Sequence, residues 1–139
     1  MARERILVVD DERGIVSSLR RLLHREGYEV LEAGNGQEAI DAVRAERPDC
    51  VIMDVMMPQL DGLTACGLLK YDTSYRDIPV VIMTARGSDS DKRMAKEAGA
   101  DAFLLKPVRN DELLHTVRTL IELAKPEDEE EPRPAAHHA

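Results

Sequence analysis

Residues 6–11 read ILVVDD: four aliphatic side chains followed at once by two carboxylates, Asp10 and Asp11. An unbroken apolar run of this length fits a strand buried on both faces, as in a parallel sheet covered by helices on each side. The device recurs along the chain. VIMD ends on Asp54, VVIMT on Thr84 and AFLLK on Lys106. If the four runs are strands of one parallel sheet, their terminal residues gather at one edge. In open α/β sheets that edge, beyond the carboxyl ends of the strands, is where ligands bind. It would carry three carboxylates, a hydroxyl and an ammonium, a set suited to a divalent cation and a phosphoryl group.

The rest of the chain supplies the spacing such a sheet needs. Strand-like runs fall at about 5–9, 49–53 and 79–83, with weaker ones at about 28–32 and 101–105. Helical periodicity lies between them. Ile15, Leu19, Leu22 and Leu23 share one face, as do Ala39, Ile40 and Val43, then Leu63, Cys66 and Leu69 or Leu68. The stretch from Asp89 to Ala98 is polar and weakly amphipathic. Leu113, Leu114, Val117, Leu120, Ile121 and Ala124 form a broad stripe on a last helix, which Pro126 ends. Gly27 and Gly99 stand where helices should stop, and Gly34 and Gly36 open a turn. Asp61 and Ser88 precede helical runs as caps, and Pro48 and Pro79 precede strands. Five β-α units with right-handed crossovers predict a doubly wound, three-layer α/β sandwich around a five-stranded parallel sheet. Strand order 2-1-3-4-5 would place the switch-point crevice between strands 1 and 3.

At 139 residues the chain holds one domain, read as 4–125, with an acidic, disordered tail over 126–139. Only 3% of residues are aromatic, so the core must be aliphatic. The net charge is -8; the tail's five acids against Arg133 supply -4 of it, leaving -4 on the domain. Direct nucleic-acid binding is not expected, because counterion release needs clustered Lys and Arg. No apolar stretch approaches the ~18 residues of a membrane span. Two cysteines, Cys50 and Cys66, read as buried thiols of a cytoplasmic protein rather than a disulfide. Met53, Met56, Met57 and Met83 read as packing, and His24 and His115 as surface residues.

Clustered carboxylates repel one another and favour a bound cation. Hard oxygen donors with room for water and phosphate oxygens suit Mg²⁺, and Lys106 can neutralise phosphate oxygens as a point charge. With VVDDE, DVMMPQLDG around Asp54, Thr84-Ala85, and AFLLKP ending in Lys106-Pro107, the chain resembles a response-regulator receiver domain of two-component signalling, of flavodoxin-like fold. That resemblance implies a phosphorylation-activated switch rather than an enzyme with its own substrate. Asp54 would be the phosphoacceptor, charged by a histidine kinase or phosphotransfer protein. Asp11, Asp54 and the backbone carbonyl of Met56 would ligate Mg²⁺, with Asp10 acting mainly through water. Lys106 would contact the phosphoryl oxygens, Thr84 would turn inward to hydrogen-bond them, and Phe103 would follow as the switch aromatic. The Lys106-Pro107 bond would be cis, which only X–Pro bonds adopt at low cost. Met56 and Arg86 would tune phosphoryl lifetime. A surface of the fourth helix, fifth strand and fifth helix would regulate a downstream effector, and the fifth helix offers a face for a phosphorylation-dependent homodimer.

Rival readings meet obstacles in the residues. A haloacid-dehalogenase-like phosphatase needs a second Asp two residues after the nucleophile of the first strand, but Asp10 is followed by Asp11 and then Glu12. A flavin module needs a Ser/Thr/Gly-rich phosphate loop, which Asp10 to Gly14 does not supply. Within the favoured reading, the chain is expected to signal as a single domain; the alternative is the receiver portion of a longer regulator with a DNA-binding or enzymatic output.

Overall fold

A computed structural model describes residues 3–57 and 60–125. Strands and helices alternate as β1 (Arg5–Val9), α1 (Arg13–Arg25), β2 (Glu29–Ala33), α2 (Gly36–Glu46), β3 (Cys50–Met53), α3 (Gly62–Tyr71), β4 (Val80–Thr84), α4 (Asp89–Glu97), β5 (Ala102–Leu105) and α5 (Asn110–Ala124). Every strand pair is parallel, and the order is β2-β1-β3-β4-β5. The expected doubly wound sandwich is therefore the observed fold, with strand limits moved by about a residue.

The layers follow from the two-residue period of a strand. Ile6 and Val8 of β1, Cys50 and Ile52 of β3, and Val81 and Met83 of β4 face α1 and α5, packing with Leu23, Val117 and Ile121. Leu7, Val9, Val51, Met53, Val80 and Ile82 face the other way, onto Ala39, Val43, Cys66 and Ala95 of α2, α3 and α4. Full burial of each such aliphatic side chain contributes about 1.5–3 kcal/mol. The expectation of strands buried on both faces holds for β1, β3 and β4. At the margins it relaxes: Glu29 and Glu32 of β2 are exposed, and Leu105 of β5 is 48% exposed. Among the described residues no helix is long and apolar enough to cross a membrane.

Local chemistry sets the helix ends. Asn35 accepts from the Glu38 amide at 2.8 Å and Asp61 from the Thr64 amide at 2.8 Å. Ser88 and Asp91 form a reciprocal capping box. Gly27 and Gly99 stand at positive φ, +96° and +92°. Arg47 ends α2 in the same left-handed region at +46°, where a Cβ is costly. Its guanidinium lies 5.2 Å from the Tyr75 ring centre and donates to the Ser74 carbonyl, which holds the residue there. At the sheet edge remote from Asp54, Lys70 donates to the carbonyls of Arg76 and Ile78 and pairs with Asp101 at 2.7 Å. Asp101 in turn accepts from the Val80 amide, clamping the entry of β4 to that of β5.

Both cysteines are free and buried. Burial pushes the Cys50 thiol up to about 12 and the Cys66 thiol up to about 11. An unfolded thiol ionises near pH 8.5. Above that pH the unfolded chain therefore binds fewer protons than the folded one, and stability falls as pH rises. The expected result is a urea midpoint that declines between about pH 9 and pH 11, with thiol reagents reacting only through the unfolded state. A midpoint that rises over that range, or fast labelling of the native protein, would contradict the buried placement.

Candidate functional site

Strand parity builds the site. Counting on from Val8, Ile52 and Leu104, the next side chains on the same face are Asp10, Asp54 and Lys106, each just past its strand end. β1 and β3 are neighbours, and the Asp54 amide donates to the Val9 carbonyl at 3.0 Å. Lys106 reaches in from the edge strand, its backbone amide fixed to the Thr84 carbonyl at 2.8 Å. Its Nζ lies 3.0 Å from Asp10 Oδ2 and 3.6 Å from Asp54 Oδ2. The Lys106-Pro107 bond is cis, as expected.

Asp10 is 3% exposed, Asp54 6% and Thr84 1%, whereas Asp11 is open to solvent. Asp10 Oδ1 also accepts from the Glu12 amide at 2.9 Å, which fixes that carboxylate beneath the first turn of α1. One oxygen from each of Asp10, Asp11 and Asp54 can be chosen so that all lie within 4.8 Å of one another. Burial raises the Asp54 carboxyl above its ordinary value. The Lys106 charge opposes the rise, the Asp10 charge adds to it, and backbone hydrogen bonds from Met56 and Val55 oppose it. Partial burial works against the Lys106 ammonium, but the hydrogen bond and charge of Asp10, with the charge of Asp54, hold it above its ordinary value. One ammonium thus serves two buried carboxylates, with a third beside them. A hard, oxygen-seeking cation fits such a donor set.

The structure brings together Asp10, Asp11, Asp54 and Lys106. Thr84 ends the neighbouring strand β4, buried, with its Oγ1 accepting from the Arg86 amide at 3.2 Å. Phe103, opposite Ile82 in the sheet register, packs partly buried on the α4 side of the sheet. Met56 is 56% exposed in the loop after β3, and its sulfur accepts from Arg86 Nη1 at 3.4 Å. A recess of ≈ 680 Å³ between α2 and α3 lies away from these residues and is lined by Ile40, Leu68 and Tyr71 among others. Its size carries no chemistry.

Gly62 is a site residue that its sequence context marked only as part of a helix start. A Cβ there would lie 2.0 Å from the Asp54 carbonyl oxygen. The first turn of α3 therefore presses directly on the backbone of Asp54. The Asp-Gly pair signals a cap and a turn; nothing in it names the strand end it touches.

The profile of the response regulator receiver domain matches residues 6–118. Response regulator MprA of Mycobacterium tuberculosis (strain H37Rv) is 47% identical over 124 residues, 89% of this chain and 53% of that protein. Its counterpart in Mycobacterium avium (strain 104) is 46% identical over 127 residues, 91% of this chain and 55% of that protein. The chain thus spans about half the length of these regulators. Among solved structures, the receiver domain of a histidine kinase from Syntrophus aciditrophicus superposes with a TM-score of 0.84 at 33% identity, covering 95% of this chain and 98% of that one. The receiver domain of sensor histidine kinase PA1611 from Pseudomonas aeruginosa PAO1, solved with a magnesium ion coordinated in its active site cleft, gives 0.81 at 27% identity over 87% and 99%. With the parallel order of its sheet and the acidic cluster at its switch point, this chain belongs to the response regulator receiver domain family.

Proposed function

We propose that Asp54 accepts a phosphoryl group from a phosphohistidine on a histidine kinase or phosphotransfer protein, and that the domain signals through the surface this changes. The observation that carries the reading is the Lys106 ammonium set between the Asp10 and Asp54 carboxylates at 3.0 and 3.6 Å. Asp10, Asp11 and Asp54, with the Met56 carbonyl, would hold Mg²⁺, the ion described in the Pseudomonas relative. When bound, the ion supplies positive charge against the phosphoryl oxygens.

The protein's own residues do the rest. An Asp54 carboxylate oxygen attacks phosphorus in line. The bond from phosphorus to the donor imidazole nitrogen breaks, its electron pair leaves with that nitrogen, and an acyl phosphate remains. Lys106 transfers its contact to the phosphoryl oxygens. Thr84 turns to donate its hydroxyl proton to the same group, and Phe103 moves into the space released. The α4–β5–α5 face then changes for a downstream effector. A shift from 1:99 to 99:1 requires the phosphorylated protein to favour the active state by about 5.5 kcal/mol. Water attack on the acyl phosphate resets the switch, so the chain is an acceptor that assists its own chemistry, without turnover of a free substrate. The free thiols Cys50 and Cys66 favour a reducing cytoplasm.

Incubation with acetyl phosphate and Mg²⁺ tests this. One phosphoryl group per chain is expected, labile to hydroxylamine, and chelation of Mg²⁺ should reduce its formation at least tenfold. Equal labelling in excess EDTA would remove the ion from the mechanism.

A second reading rests on the relatives' length, since the matched region is only 53–55% of those proteins. Residues 4–125 would then be the receiver unit of a longer regulator with a DNA-binding or enzymatic output. Residues 126–139, expected as an acidic tail, lie outside the described residues. The full reading frame of the gene distinguishes the two.

A further inference from the structure

Arg86 bridges three pieces of the molecule that the proposed switch must move. Its backbone amide donates to Thr84 Oγ1 at 3.2 Å. Its Nη2 lies 3.1 Å from Asp91 Oδ1 in the first turn of α4. Its Nη1 lies 3.4 Å from the Met56 sulfur, in the loop that follows Asp54. Met56 and Arg86 also line a recess of ≈ 490 Å³, together with Asp11. Asp91 is itself anchored, because its other oxygen, Oδ2, accepts from the Ser88 hydroxyl at 2.7 Å. The Ser88 hydrogen bond, then the Arg86 charge, hold the Asp91 carboxyl below its ordinary value, so it is an anion wherever the domain functions. Each oxygen of Asp91 has its own partner, one capping α4 and one holding Arg86.

We propose that Asp91 and Arg86 form a resting-state latch that positions Thr84 away from the phosphoryl site, and that phosphorylation must break it. The inference rests on the phosphoacceptor reading of Asp54 and on Thr84 as a donor to the new group. With its oxygen held by the Arg86 amide, the Thr84 hydroxyl cannot swing toward β3 without that amide following or letting go. Arg86 cannot follow while its guanidinium is tied to α4 and to the Met56 loop. The latch therefore subtracts from the affinity for any phosphoryl group or mimic at Asp54, in proportion to the fraction of molecules it holds closed. Its ties are partly solvent-exposed, with Arg86 56% and Asp91 18% exposed, so its hold is modest and reversible. Asp91 and Arg86 act through Thr84; they are positioning residues.

The test uses beryllofluoride, a phosphoryl mimic, titrated into the full chain at saturating Mg²⁺ and followed by the amide resonances of Thr84, Arg86 and Phe103. R86A and D91N should each tighten the apparent Kd by about two- to fivefold. The double variant should be no tighter than the stronger single one. D91E, which keeps a carboxylate for both Ser88 and Arg86, should return the wild-type value. In the unliganded R86A and D91N proteins, the Thr84 and Phe103 resonances should already move toward their bound positions. S88A frays the start of α4 but leaves Arg86 and Asp91 paired, so its Kd should match wild type. Indifference to R86A and D91N, or an S88A effect as large as that of D91N, overturns the latch while the phosphoacceptor reading stands. Failure of the mimic to bind the wild type overturns both.

Discussion

Asp54→Asn should remove labelling by acetyl phosphate altogether, and in Mg²⁺-free buffer it should leave a protein more stable than the wild type at neutral pH. The first effect follows from chemistry. An amide has no anionic oxygen to attack phosphorus, and Asp10 cannot take its place because its two oxygens stay tied to Lys106 at 3.0 Å and to the Glu12 amide at 2.9 Å. The second follows from electrostatics. Burial raises the Asp54 carboxyl above its ordinary value. The folded chain then binds more protons than the unfolded one from the ordinary carboxylate range, about 3.9, up through the raised value of Asp54. Stability falls with rising pH across that window. Asparagine has no such slope, so the two unfolding midpoints should converge on acidification and separate toward pH 7. Mg²⁺ should then reverse the order. A cation bound only to the native wild type adds about 2.7 kcal/mol at one hundred times its Kd, whereas the variant has lost a ligand charge. Undiminished, Mg²⁺-dependent incorporation in Asp54→Asn would move the phosphoacceptor elsewhere.

The legible part of this molecule is the part written in short-range pattern. Ile6 to Val9, Cys50 to Met53 and Val80 to Thr84 are apolar throughout because helices cover both of their faces. The polar residue that breaks each run falls at the last residue of its strand or just past it. The strand ends and the site are therefore one signal, and Asp10, Asp11, Asp54, Thr84 and Lys106 were readable together. Asp61 and Ser88 were readable as caps because capping is local chemistry. What escaped depends on partners distant in sequence. Arg47 at positive φ is held by Ser74 and Tyr75, 27 and 28 positions away, so its own residue type argues against the conformation it adopts. The clamp of Lys70 on Asp101 looks in sequence like two solvated charges. Arg86 is named by its place near Thr84, but its ties to Asp91 and Met56 need the fold.

Gly62→Ala should cost the fold about 3 kcal/mol and weaken Mg²⁺ binding, while Gly67→Ala in the same helix should stabilise it. The contrast isolates one cause. Gly67 lies within α3 with nothing within 4 Å of where a Cβ would stand. There the substitution only removes backbone freedom from the unfolded chain and improves helix propensity, a gain of about 0.5–1 kcal/mol. At Gly62 the added carbon would stand 2.0 Å from the Asp54 carbonyl oxygen, 2.9 Å from its carbon and 3.1 Å from the Val55 Cα. All three are backbone atoms, so no rotamer change relieves the contact. Either α3 withdraws, breaking the Gly62 amide's bond to the Val55 carbonyl, or the end of β3 moves and takes the Asp54 carboxylate out of register with Asp10 and Lys106. Overpacking of this kind costs about 1–3 kcal/mol, occasionally more, and the immobility of both partners argues for the upper end. With a urea m-value of about 2 kcal/mol/M, the midpoint should fall by about 1.5 M. The Mg²⁺ Kd, read from amide resonances under conditions where the variant is still folded, should rise about tenfold because the donor set is disturbed. If Gly62→Ala and Gly67→Ala shift the midpoint alike, α3 does not bear on Asp54 and the spacing assigned to the site is wrong.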